Sequence, residues 1–129
     1  MKIEIIEVDK CTVIFLAISN SKVIGKCSFK IRANKTIRYF DAYISTKHRN
    51  KGIYNSLFKR RQKFIENNFP NWKIESYCKS STIELFKNNG FEIIENLYLV
   101  SKKSVFINDS LNSKKININK KLKLRDTLK

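Results

Sequence analysis

The run Arg49-Asn50-Lys51-Gly52-Ile53-Tyr54 gathers the residue types that hold a phosphate: two cations, a glycine and, directly behind them, the start of an apolar-periodic helix. A phosphate needs N–H donors and positive charge at close range. The first-turn N–H groups of a helix have no intrahelical partner, and a glycine ahead of them lets backbone approach an anion with no side chain in between. His48, the single histidine, adjoins the loop. A histidine in that place suits a phosphate contact or a proton transfer, or is simply a solvated loop residue.

Such a loop has to be carried by a strand before it and a helix behind it. Ile37 to Ser45 alternates as a strand. After the loop, Ile53, Tyr54, Leu57, Phe58, Arg61, Phe64 and Ile65 recur at helical spacing with Lys59, Arg60 and Lys63 on the other side, and Asn67-Asn68 ahead of Pro70 ends the helix. The Lys59-Arg60-Arg61 run reads as the polar side of that helix or as part of a nucleic-acid surface. Upstream, residues 3–8 and 12–18 are strand-like, Asn20-Ser21-Lys22 is turn chemistry, and a third strand runs from Val23 to about Arg32. Gly25 inside it marks a bulge or a close backbone approach. Ala33-Asn34-Lys35 turns the chain into the fourth strand, so the first half is an antiparallel meander.

Downstream, Trp72 to Cys78 is a short fifth strand. Ser81 with Glu84 three residues on is a capping-box pattern, opening a helix that Gly90 can terminate. Phe91 to Val100 reads as a sixth strand and Ser104 to Ile107 as a seventh. The order predicts an α+β fold with a mixed, mostly antiparallel sheet of six to seven strands and two main helices.

A chain of 129 residues has room for one domain with a real core, and 42% hydrophobic content argues for a globular one. The formal charge of +16 favours acidic partners such as nucleic acid or a phosphorylated cofactor, or else belongs to a generally lysine-rich composition. Part of the surplus lies late in the chain, which suggests a folded domain over 1–108 and a basic tail over 109–129. The tail's sequence fits a disordered segment, an added strand, or a segment that folds on a partner. Cys11, Cys27 and Cys78 match no metal-site spacing and no small disulfide framework, so they read as reduced, mostly buried thiols with no metal. Acidic residues near the N-terminus and no long apolar run predict a cytoplasmic protein without a membrane span.

Arg49-Asn50-Lys51-Gly52-Ile53-Tyr54, at the junction of the fourth strand and the long helix, resembles the acyl-coenzyme A signature of the Gcn5-related N-acetyltransferases. Further on, Ser81-Thr82-Ile83-Glu84-Leu85-Phe86-Lys87-Asn88-Asn89-Gly90-Phe91 resembles the family's second helix with its closing Gly-Phe pair. The resemblance spans residues 1 to about 103, and two motifs in order, in the right structural context, are far more specific than either alone. It implies a fold in which the fourth and fifth strands splay apart and acetyl-coenzyme A lies between them. The backbone of Arg49, Asn50, Lys51, Gly52, Ile53 and Tyr54 would hold the pyrophosphate, and Tyr43, Ile44 and Ser45 would pair with the thioester arm.

The family chemistry is acetyl transfer to an amine, whose proton must first be removed. Asp41 on the fourth strand stands near where some members place that base, and its alternative is a surface ion pair. Phe86, beside the cofactor, stands where many members have a tyrosine that protonates the departing thiolate, and phenylalanine has no proton to give. Tyr98 and Tyr77 are substitutes for that acid, or else packing residues, and Cys78 either approaches the cofactor thiol or fills the core. Tyr54 replaces a small residue, Lys79 a frequent asparagine, and only Asp9-Lys10-Cys11 fills the gap where the family carries helices between its first two strands. The implied function is acetyl-coenzyme A-dependent N-acetylation of an amine acceptor, with an open groove suited to a macromolecule or a partner subunit such as a second copy. The alternative is a catalytically degenerate module that binds nucleic acid or a larger assembly through its basic surface and tail.

Overall fold

The computed structural model describes residues 1–105. It divides after Glu92 into two units, Met1–Glu92 and the chain from Ile93 onward; the expected boundary at residue 108 falls outside the described residues. The first unit runs β1 (Lys2–Asp9), β2 (Thr12–Ser19), β3 (Lys22–Arg32), β4 (Thr36–Ile44), a single 3-10 turn (Thr46–His48), α1 (Ile53–Asn68), β5 (Lys73–Ser76) and α2 (Ile83–Asn88).

The strands lie in sequence order, antiparallel from β1 to β4, with β5 parallel to β4. Tight turns make this possible. Asn20 and Ser21 (φ 51° and 62°) and Asn34 and Lys35 (φ 60° and 51°) take left-handed conformations, whose twist matches that of the strands they join. Gly25 fulfils both of its expected roles. The β2–β3 register shifts between Ala17 and Ile18, next to its partner, and an added Cβ would lie 2.6 Å from Ile44 Cδ1.

Both helices cover the same face of the sheet. Phe15, Cys27, Phe29, Ile37 and Tyr39 point toward Leu57, Phe58 and Ile65 of α1, and Phe86 of α2 joins them with its ring 5.0 Å from Phe58. Because side chains alternate along a strand, the intervening residues form a second face, which carries no helix of this unit. By register, Ile14, Ser28 and Phe40 sit side by side across its middle, flanked by Lys30 with Arg38 on one side and Leu16 with Lys26 and Tyr43 on the other.

Several expectations need correction. The described residues hold five strands, not six or seven. Residues 91–100 form no strand with other described residues, and Ile94, Leu97, Tyr98, Leu99 and Val100 are largely exposed. Alternation supplies β propensity, but a strand exists only where a neighbour takes up its N–H and C=O groups. Ser104 and Val105 are likewise irregular, and the rest of the expected seventh strand lies outside the described residues, as does the linker and strand-like pattern beyond residue 110. The capping box is not formed: α2 starts after Thr82 with no side-chain cap, although Gly90 (φ 88°) does close it. All three cysteines are free, but only Cys27 is buried.

Candidate functional site

The loop between β4 and α1 is held in place before it can hold anything else. Ser45 N–H donates to Ile24 O (2.8 Å), His48 N–H donates to Ser45 O (2.9 Å), and Ser45 Oγ shares a 2.6 Å hydrogen bond with His48 Nδ1. Arg49 turns back onto β4: its Nε donates to Ile44 O (2.9 Å) and its guanidinium lies over the Tyr43 ring, 5.4 Å from the centroid. The side chain of Arg49 thus braces the loop, and the loop's charge toward the groove comes from Lys51.

Asn50 (φ 62°) and Gly52 (φ 77°) are both left-handed, so the chain folds sharply into α1. Gly52 is the N-cap and offers no side chain, and the first turn contains no acidic residue. Ser56 is committed elsewhere, its Oγ donating to Gly52 O at 3.1 Å. The orphan N–H groups of a sixteen-residue helix are therefore uncapped by side chains, with the positive end of its dipole beside them. They open onto a groove of about 340 Å³ lined by His48, Lys51, Gly52, Ile53 and Ser56, with Met1, Ser19 and Ile24 opposite. Ile53 is buried, packing toward β3, and Tyr54 is partly buried with its ring 6.2 Å from Phe58.

The pairing that follows β4 on its other side is short. The parallel β4–β5 pairing covers only Thr36 to Tyr39 against Lys73 to Ser76. From Phe40 to Ile44, which includes Tyr43, β4 runs on with no β5 partner. A register shift against β3 falls in the same stretch, between Lys26 and Ser28, and Asp41 (φ 57°) sits in it. This bulge turns the Asp41 carboxylate to the helix-free face, where Oδ2 accepts from Lys26 Nζ at 2.9 Å, both side chains remaining solvent-accessible.

The tyrosine-for-acid question has a structural answer on one side. Phe86 is buried, meeting Phe58 edge to face at 5.0 Å and Phe91 at 5.0 Å, with Tyr39 at 6.4 Å. Tyr77 and Cys78 are exposed just past β5. Tyr98 belongs to the second unit and is 85% exposed.

Arg61 is what the sequence reading placed ambiguously. It is buried, not on the polar side of α1: its exposure is 1%, Nη1 donates to Ser28 O (3.0 Å), and its guanidinium lies 3.5 Å from the Tyr39 ring centroid. Among the described residues it makes no ion pair, and its Nε has no partner. Its place on the apolar stripe was the signal in the sequence. Burial pushes the Tyr39 phenol up to about 12 and the Cys27 thiol up to about 11, with Arg61 pulling both partly back. Burial also raises Tyr54.

No family model and no curated protein matches this sequence. Solved structures do match. The aminoglycoside N-acetyltransferase AAC(6')-Iy in complex with CoA is similar over 74% of this chain and 79% of its own, at 16% identity and a TM-score of 0.59. Escherichia coli ElaA is similar at 10% identity and a TM-score of 0.62, over 67% of this chain and 60% of its own. A Trypanosoma brucei acetyltransferase is similar at 13% identity and a TM-score of 0.56, over 70% of this chain and 68% of its own. Together with the strand order and the loop-to-helix junction, these likenesses establish that the chain has the fold of the Gcn5-related N-acetyltransferases, in a compact form with no helix between its first two strands.

Proposed function

We propose that this protein binds acetyl-coenzyme A and transfers the acetyl group to an amine. The observation that carries the reading is the uncapped N-terminus of α1 behind two left-handed residues, opening onto a groove, in a chain whose β4 pairs with β5 only over Thr36 to Tyr39. A pyrophosphate would meet the amides from Asn50 to Tyr54 with Lys51 at its side, and the extended arm would lie along Tyr43, Ile44 and Ser45 as an added strand. That AAC(6')-Iy, which shares the fold, was solved in complex with CoA supports coenzyme A as the ligand.

For transfer, the acceptor ammonium must lose a proton before its nitrogen attacks the thioester carbonyl, and the departing thiolate must gain one. Asp41, exposed at the bulge and steadied by Lys26, is the residue suited to the first task, directly or through water. Phe86 cannot perform the second. Tyr98 is the candidate within the chain, with solvent as its competitor. The lack of a helix between β1 and β2 suits a macromolecular amine acceptor or assembly as a homodimer. The second reading, a catalytically degenerate module, draws on the buried Phe86, whose aromatic surroundings put no acid at that position.

Calorimetric titration with acetyl-coenzyme A tests the proposal. Binding is expected, and Gly52→Ala should weaken it at least about five-fold. A Cβ there meets nothing, but the left-handed backbone costs roughly 1 kcal/mol for a non-glycine residue. A folded protein that gives no heat and no thermal shift at millimolar ligand would rule it out.

A further inference from the structure

The helix-free face of the sheet presents aromatic rings together with cations. Phe40, Tyr43 and Tyr77 are 38%, 51% and 57% exposed, each large enough a share to leave ring surface open to a ligand. Each has a cation over its ring: Lys30 at 5.8 Å from the Phe40 centroid, Arg49 at 5.4 Å from Tyr43, and Arg38 at 5.1 Å from Tyr77. Phe40 and Arg38 are two apart on β4, and Lys30 pairs with Arg38 across the ladder, so rings and charges form one continuous patch. Two of the cations near it are shared with acids, Lys26 with Asp41 and Arg38 with Glu75 (2.9 Å each), but Lys30 and Arg32 on β3 have no ion pair among the described residues.

We propose that this face binds single-stranded nucleic acid, with Phe40 and Tyr77 stacking bases and Lys30 and Arg38 taking the adjoining phosphates. The inference goes beyond acyl transfer, and the four residues that it places on bases and phosphates are none of those assigned to coenzyme A, although Tyr43 and Arg49 border the same patch. Bases stack on any exposed aromatic face, and an interleaved cation supplies the charge that the sugar–phosphate chain demands. Charge complementarity selects this occupant. The whole chain carries +16, and residues beyond 105 add to the surplus rather than neutralising it, so a polyanion is the partner that the composition favours. An apolar protein partner would instead have to desolvate Lys30, Arg32 and the Arg38–Glu75 pair. A duplex would bring phosphates but keep its bases stacked away from the rings.

The test is a fluorescence-anisotropy titration of the full chain with labelled oligouridylate at several salt concentrations, with no coenzyme A present. Its outcome is therefore independent of the acyl-transfer reading. Native protein should bind the single strand more tightly than a duplex of equal length or heparin. Phe40→Ala and Tyr77→Ala should each weaken binding about five-fold or more. Lys30→Gln should reduce the salt slope by about 0.7, one phosphate's worth for a single strand. Phe40→Leu, which keeps apolar bulk but not the ring, serves if Phe40→Ala fails to fold, and should weaken binding similarly. The proposal is overturned by absence of binding, by equal affinity for duplex or heparin, or by ring variants that bind as tightly as the native chain.

Discussion

Arg61 shows how far a single side chain can depart from its residue type's habit. A guanidinium at 1% exposure is costly unless its surroundings compensate, and here the compensation is one carbonyl and the face of Tyr39, not a carboxylate. Lysine could not take its place, because an ammonium has neither the planar stacking surface nor the forked donors. Arg61→Lys is therefore expected to lower stability by about 2 kcal/mol. Arg61→Met, which removes the buried charge and its unpartnered Nε, should fall closer to the native value. Urea midpoints for the two variants check this, and the reverse order would show that the charge itself is needed. The same residue explains a gap in legibility. Its helical phase put it on the apolar stripe and its chemistry put it on the polar side, and only the position of Tyr39 on a strand far away in sequence resolves the two.

At the scale of elements, the packing of β3, β4 and α1 converges on Gly25. A Cβ there would meet Ile44 Cδ1 at 2.6 Å, with Ile53 and Leu57 methyl groups at 3.4 Å. Ile44 ends β4 directly before the phosphate-loop candidate, so overpacking at Gly25 should reach the loop. Gly25→Ala is expected to cost about 1–3 kcal/mol, and Ile44→Val, which removes the clashing methyl, should recover part of it in the double variant. Thermal or denaturant unfolding of the four proteins measures the coupling; strict additivity would mean that the sheet yields elsewhere. The elements themselves were largely legible. Four strands, α1 and β5 lie within a residue or two of where alternation, turn chemistry and Pro70 put them. What the pattern could not supply was pairing. The run from Phe91 to Val100 alternates as well as β1 does, yet β1 has β2 to bond with, and residues 91–100 form no ladder with any other described residues.

For the molecule as a whole, the buried titratable groups predict instability in alkali. Cys27 and Tyr39 are harder to ionise in the folded protein than in the open chain, since burial disfavours the thiolate and the phenolate. A raised folded value means that stability is fully present below the unfolded values of 9.0 and 10.0 and is lost as pH climbs toward about 11 and about 12. Each group accounts for roughly 2–3 kcal/mol of that loss. The thermal midpoint should fall steadily from pH 9 upward, and Cys27→Ala should flatten the first part of the decline; an unchanged slope would show that the thiol ionises freely in the folded state. The sequence by itself determined the α+β order, the meander and the position of the loop from Arg49 to Tyr54, because turn residues, alternation and helical phase are local properties of the chain. Tertiary structure decided the rest. It turned Arg49 back onto β4, drew Arg61 inside, set Asp41 in a bulge against Lys26, and left one sheet face without a helix of the first unit, because each of these depends on which distant strand or helix becomes a neighbour.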